Sequence, residues 1–171
     1  MAQDALGRLF DISTGFVPVD MQTAQTGKRV SLRDCGGVTV VLFKAAGTAG
    51  DDPTLTLKEH TASTGGTSQN LAIIDEYWIK TEATLDGDET WTRETQAAAA
   101  TIADPGGDGT SAEAQQIVVF EVDGRQLSDG YSYISVDVAD TGTNAQLGCV
   151  LYLLRDLNSQ RTPANLAAPL S

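Results

Sequence analysis

An all-β fold is predicted for this chain: an antiparallel β-sandwich, jelly-roll or immunoglobulin-like, of seven to eight strands with extended terminal arms. Three observations predict it. Apolar and polar residues alternate with period two in run after run between residues 29 and 156. The gaps between those runs (GTAGDDP, STGGTSQN, DGDE, DPGGDGTS, DGRQLSDG, DTGTN) are dense in Gly, Asp, Asn and Thr, which tolerate positive φ or bond their own backbone. Helical periodicity is scarce, and the connections are too short for parallel crossovers.

Residues 1–28 carry no sustained period but do carry scattered apolar side chains, among them Phe10, Ile12, Phe16 and Val17. They are expected to form an extended N-terminal arm that orders on a neighbouring subunit, because solvated tails rarely spend two phenylalanines. The sandwich domain is expected over 29–157. VTVVLF (38–43) is apolar on both parities, as in a strand buried on both sides. In PTLTLKEH, Leu55 and Leu57 share one face, and Thr54, Thr56, Lys58 and His60 the other. In DEYWIKTEATL, Tyr77 and Ile79 alternate with Glu76, Lys80 and Glu82, so Trp78 falls on the polar parity as a candidate interface anchor, sugar-stacking platform or second-core residue. LDGDETW reads as a hairpin corner turning on Asp86-Gly87.

ETQAAAATIAD fits a short helix or a loose strand, and TSAEAQQ one helical turn capped by Thr110 or Ser111 with Glu113 reaching back. IVVFEV (117–122), YSYISVDVA (131–139) and LGCVLYLL (147–154) complete the strands, the last of them, apolar on both parities, a candidate for the sandwich centre or the subunit interface. In LSDGYSY, Asp129 and Tyr133 carry half of a tyrosine corner. Residues 158–171, with two prolines and the apolar Leu166 and Leu170, are expected to be an extended C-terminal tail.

The chain's 171 residues suffice for one domain that buries about 70% of its unfolded surface. No apolar run reaches the roughly 18 to 20 residues that cross a bilayer, and the first residues lack a secretory pattern, so no membrane partner is expected and synthesis in a cytosol is. Eleven Lys and Arg against 23 Asp and Glu leave a formal charge of −12. Such a chain repels phosphate backbones, so no direct nucleic-acid binding is expected. Cys35 and Cys149 lie beside strand-like runs and are expected to be buried free thiols.

Little in the sequence points to catalysis. GxSxG, P-loop and HExxH patterns are absent, and the single histidine, His60, sits on the polar parity of its strand, where it is expected to be exposed. Asp86, Asp88 and Glu89 supply three carboxylates without the remaining spacing of a calcium loop. No catalytic residue, no cofactor and no metal is therefore expected, and the chain is not expected to be an enzyme.

The order of segments carries a further signal. GRLFDISTGFVPVDM, GKRVSLRDCGGVTVVLFKAAGTAGDDPTLTLKEHTASTGG, DEYWIKTEATLDGDETWT, QLSDGYSYISVDVADTGTNAQLGCVLYLLRDL and RTPANLAAPL follow one another. In this the chain resembles a family of small structural proteins encoded among the virion genes of tailed bacteriophages, and within it the capsid decoration, or minor capsid, proteins. The resemblance implies a β-rich subunit, trimeric, made in the host cytoplasm. It implies a place on the virion's capsid exterior, where the major capsid protein is the partner and neighbouring capsomers are bridged. It transfers no residue roles. Candidate subunit or capsid contacts are the apolar anchors Phe10, Ile12, Phe16, Val17, Trp78, Leu166 and Leu170. Two other classes stand beside it: a tail-tube, neck or head-fibre subunit, and a carbohydrate-binding module assisted by calcium at DGDE.

Overall fold

The computed structural model describes residues 5–170 and is an all-β sandwich of two antiparallel sheets. Strands β1 (Phe10–Asp20), β2 (Val30–Ser31), β3 (Cys35–Lys44), β4 (Thr54–His60), β5 (Ser68–Asn70) and β6 (Ile74–Glu82) come first. They are followed by β7 (Thr92–Ala99), β8 (Thr101–Ala103), β9 (Gln115–Asp123), β10 (Tyr133–Val138) and β11 (Leu147–Leu157). One sheet has the order β1-β11-β3-β9-β6-β7; the other runs β2-β10-β4-β5, with β8 also paired to β4.

The inward parity of each strand makes the core. Val38, Val40 and Leu42 of β3, Val118, Phe120 and Val122 of β9, and Val150, Tyr152 and Leu154 of β11 face Leu55, Leu57, Ile134, Val136 and Val138 of the other sheet. Each fully buried side chain of this kind contributes about 1.5–3 kcal/mol of transfer free energy. Tyr152 also ties the two sheets together, its hydroxyl accepting the Val136 N–H at 2.9 Å.

The expected N-terminal arm is corrected over residues 10–20. This stretch is the edge strand β1, paired along its length with β11 of its own sandwich. Register shifts between Thr14 and Phe16 and between Phe16 and Val19 break the period-two pattern, which is why no strand signal is legible there. The bulges also turn Phe16 inward, so this candidate anchor is 6% exposed and belongs to the core. The C-terminal segment likewise folds back instead of extending away. Asn158 N–H donates to Asp34 O, Arg161 N–H to Gly7 O and Ser31 N–H to Pro169 O at 2.7–2.9 Å. Residues 1–4 of the expected arm and Ser171 of the tail lie outside the described residues.

Local departures have local causes. ETQAAAATIAD forms β7 and β8. TSAEAQQ begins as a turn and not a helix, because Asp52 Oδ1 accepts both Ser111 Oγ–H at 2.8 Å and Ala112 N–H at 2.9 Å. Asp86-Gly87 is not a two-residue turn: residues 83–91 form a longer loop between β6 and β7. Tyr133 is buried, and the Arg33 guanidinium stacks over its ring at 4.9 Å.

The edge beside β10 depends on one glycine. Gln25 and Val138 exchange both backbone hydrogen bonds, and two residues on Gly27 donates its N–H to Asp137 Oδ1 at 2.9 Å. A Cβ on Gly27 would lie 2.1 Å from Val136 O. Because the obstacle is backbone and not a flexible side chain, Gly27→Ala is expected to cost about 1–3 kcal/mol, read as a lower urea midpoint.

Candidate interaction face on the six-stranded sheet

A sheet packed on one side normally shows water a polar opposite face. Here the outward parity of the six-stranded sheet is apolar across its middle. Cross-strand register fixes three rows on that face. The first is Trp78–Val119–Val41–Leu151, with Thr14 at one end and Arg93 at the other. The second is Lys80–Ile117–Phe43–Cys149, and the third Glu121–Thr39–Leu153–Ile12. Directly opposed residues of antiparallel strands point the same way, so these side chains form one continuous surface.

Its largest members stand well into solvent: Phe43 is 50% exposed, Ile12 48% and Trp78 41%. Val41, Ile117, Val119, Cys149, Leu151 and Leu153 are half-buried between them. Trp91, at the mouth of the β6–β7 loop, is 47% exposed and joins Trp78 and Val119 around a shallow depression. Lys80 Nζ sits 5.3 Å from the centre of the Trp91 ring. The face is therefore apolar at its centre and charged at its two ends. Lys80 lies at one end. At the other lie Glu121, bonded by Thr39 Oγ1 at 3.3 Å and paired with Arg155 at 3.5 Å, and Glu76, held by Arg93.

The candidate anchors read from the sequence separate on this frame. Ile12 and Trp78 come together on the outward face. Phe10, half-buried, stands opposite Arg155 at its margin. Val17 is exposed in the bulged part of β1. Leu166 lines a cleft beneath the C-terminal segment with Cys35 and Pro169, and Leu170 is exposed further along that segment. The residues that the sequence reading missed are Val41, Phe43, Ile117 and Val119, while Leu151 and Leu153 lie in the run 147–154 expected at the sandwich centre or the subunit interface. Their signal was present as apolar runs on both parities, and VTVVLF was assigned to a strand buried on both sides. The structure corrects this: one parity is core and the other is the outward face.

Titratable groups elsewhere act as ties. His60 is buried, not exposed as expected; its Nδ1 is 2.7 Å from Ser68 Oγ and its Nε2 2.9 Å from Ser135 Oγ. Burial, followed by the charge of Arg29, pushes the imidazole down to about 4, which makes it a poor base at neutral pH. Glu59, fully buried, accepts Gln69 Nε2–H at 2.6 Å and Ser128 N–H at 2.8 Å. Lys44, also buried, donates to Ala114 O at 2.7 Å, and burial pulls its ammonium down to about 8 against Asp52 and Glu113. Cys35 and Cys149 are free, and burial pushes the Cys35 thiol up to about 11.

The acidic loop brings carboxylate oxygens of Glu82, Asp86, Asp88 and Glu89 within 4.8 Å of one another at the surface. Its conformation is closed by Glu89, whose carboxylate accepts the N–H groups of Asp86 and Gly87. Gly87 holds φ at +106°, the left-handed region open to glycine. The loop is thus a solvated corner between β6 and β7.

No family model, curated protein or solved structure matches this chain.

Proposed function

We propose that this chain is a non-enzymatic structural protein of a tailed-bacteriophage virion. On this reading it sits on the outside of the capsid, contacts the major capsid protein and bridges neighbouring capsomers. The outward apolar face of the six-stranded sheet carries the reading. An apolar surface spanning four to five strands is out of place on a monomer with a formal charge of −12, and such patches mark sites of protein association. The charge supports the same position, since it suits the solvent side of a shell better than the side facing packaged DNA. The order of segments that resembles decoration proteins supports it again. Bridging would work by multivalency: copies that each engage two capsomers raise the effective affinity without new contacts.

The test is cosedimentation of the purified protein with expanded, undecorated capsids. Saturable binding, with a fixed number of copies per shell, is expected. No binding, with rings or tubes forming in solution, overturns the capsid position in favour of a tail or neck subunit.

One observation favours a second reading. Trp78 and Trp91 flank one depression beside a polar cleft lined by Glu76, Glu121, Asp123 and Arg125, an arrangement able to stack a sugar ring and bond its hydroxyls. Glycan-array binding lost in Trp78→Ala and Trp91→Ala would select it; silence of the native chain with and without calcium dismisses it.

A further inference from the structure

We propose that the outward face of the six-stranded sheet is covered by the same face of a second copy, the two sheets stacked about a two-fold axis that runs across the strands. This goes beyond the virion reading, because it concerns the free protein: before assembly a second copy occupies the face that, on that reading, the capsid takes over.

The dimensions fit. The apolar rows span β6, β9, β3 and β11, with Ile12 of β1 at their margin. Strands about 4.8 Å apart and same-face residues about 7 Å apart along a strand give these rows a footprint of about 400 Å². That is about half of the roughly 800 Å² that each partner of a stable pair buries, so in the proposed pair the residues around these rows supply the rest. Two sheets stacked face to face need about 10 Å between them, a gap that Phe43, Trp78, Val119 and Leu151 are of a size to fill.

The charges choose the symmetry. The face carries Lys80 at one end of β6 and Glu76 at the other, with the Trp78 row between them. A two-fold axis along the Trp78–Val119–Val41–Leu151 row lays each strand over its own counterpart with direction reversed. Lys80 then meets Glu76 of the partner subunit, and Phe43 and Cys149 settle over Thr39 and Leu153 of the partner subunit. Every contact off the axis occurs twice, as in an isologous pair. A two-fold axis parallel to the strands, between β3 and β9, would instead lay Lys80 over Cys149 of the partner subunit and Glu121 over Thr39 of the partner subunit, leaving each charge against an uncharged side chain. Arg93, in the axial row, is already occupied by Glu76 beside it.

The pair leaves both edge strands and the five-stranded sheet free for other subunits. It is a dimer, in place of the trimer that the resemblance implies.

Sedimentation equilibrium of the purified full chain tests it. A mass of twice 18.0 kDa is expected at micromolar concentration. Trp78→Glu should weaken association at least about thirtyfold, as loss of a central aromatic contact does. Lys80→Glu should weaken it about tenfold, and adding Glu76→Lys to that variant should restore most of the loss, because the swap re-forms the intersubunit pair. A monomeric or trimeric native mass, or unchanged association in Trp78→Glu, overturns the proposal. So does failure of the double swap to recover.

Should a variant not fold, the native chain supplies a second readout. Cys149 lies in the covered face, so its alkylation rate should fall as protein concentration passes the dissociation constant; a concentration-independent rate overturns the proposal. The two readings fail separately. A dimer that ignores capsids leaves this inference standing and removes the capsid position, whereas a monomer that decorates capsids does the reverse.

Discussion

Replacing Tyr152 with alanine is expected to lower the free energy of unfolding by about 3–5 kcal/mol, the largest loss from any single core truncation in this chain. The reason is positional. Tyr152 is fully buried at the middle of β11, and its ring fills the space between the sheets. Its neighbours are part of the framework and cannot close the gap. Gly15 of β1 packs so tightly here that a Cβ would lie 3.0 Å from the ring and 2.6 Å from Val150. A cavity left at Tyr152 would therefore persist, and the cost of a persistent cavity adds to the lost transfer free energy.

Tyr152→Phe separates the two contributions. It keeps the ring but removes the hydroxyl that accepts the Val136 N–H, leaving a buried donor unpaired for about 1–3 kcal/mol. Burial holds this phenol well above its ordinary pKa, so the hydroxyl stays neutral across the accessible range. Urea denaturation with an unchanged slope measures both variants. A phenylalanine variant as stable as the native chain would show that the bond between the sheets contributes little and that packing alone holds them.

How much of this was legible beforehand differs by element, and the differences have physical causes. The sandwich was legible because alternation reports directly which parity is apolar: Leu55 and Leu57 against Thr54 and Thr56, Tyr77 and Ile79 against Trp78 and Lys80. The strand β1 was not, since two bulges shift its period at the residues a window would need. The interaction face was present in the letters of VTVVLF and IVVF but not in their interpretation. Periodicity measures the polarity of a face and not what covers it, so a strand apolar on both sides reads the same between two layers and on an open sheet. Only the strand order shows that nothing among the described residues forms a layer over Val41, Phe43 and Val119. His60 failed in the opposite sense. It lies on a polar parity, yet it is enclosed by Ser68 and Ser135, and Arg29 reaches over from another segment to bond Ala62 O, Gly65 O and Ser68 Oγ. Such coverage is long-range, and alternation within one strand does not record it.

That enclosure makes His60 an acid-sensitive group. Burial first, then the Arg29 guanidinium and Lys58, hold its pKa down to about 4, against the opposing pull of Asp137 and Glu59. In the unfolded chain the imidazole takes up a proton near 6.5. Between these values the unfolded state carries a proton that the native state lacks, so native stability is complete above about 6.5 and declines as the pH falls towards 4. A displacement of that size corresponds to about 3 kcal/mol once the native imidazole is also protonated.

His60→Gln isolates the effect, because glutamine offers the two serine hydroxyls a donor and an acceptor and has no proton to gain. Carboxylates titrating in the same range are common to both chains and cancel in the difference. Measured by urea unfolding, the stability of the native chain relative to His60→Gln should fall by roughly 2–3 kcal/mol between about pH 7.5 and pH 4.5. A difference that stays constant across that interval would mean that the imidazole is protonated in place, with Ser68 or Ser135 turning to accept from it. The tie between β4, β5 and β10 would then survive in acid, and the acid limb of the stability curve would belong to the carboxylates alone.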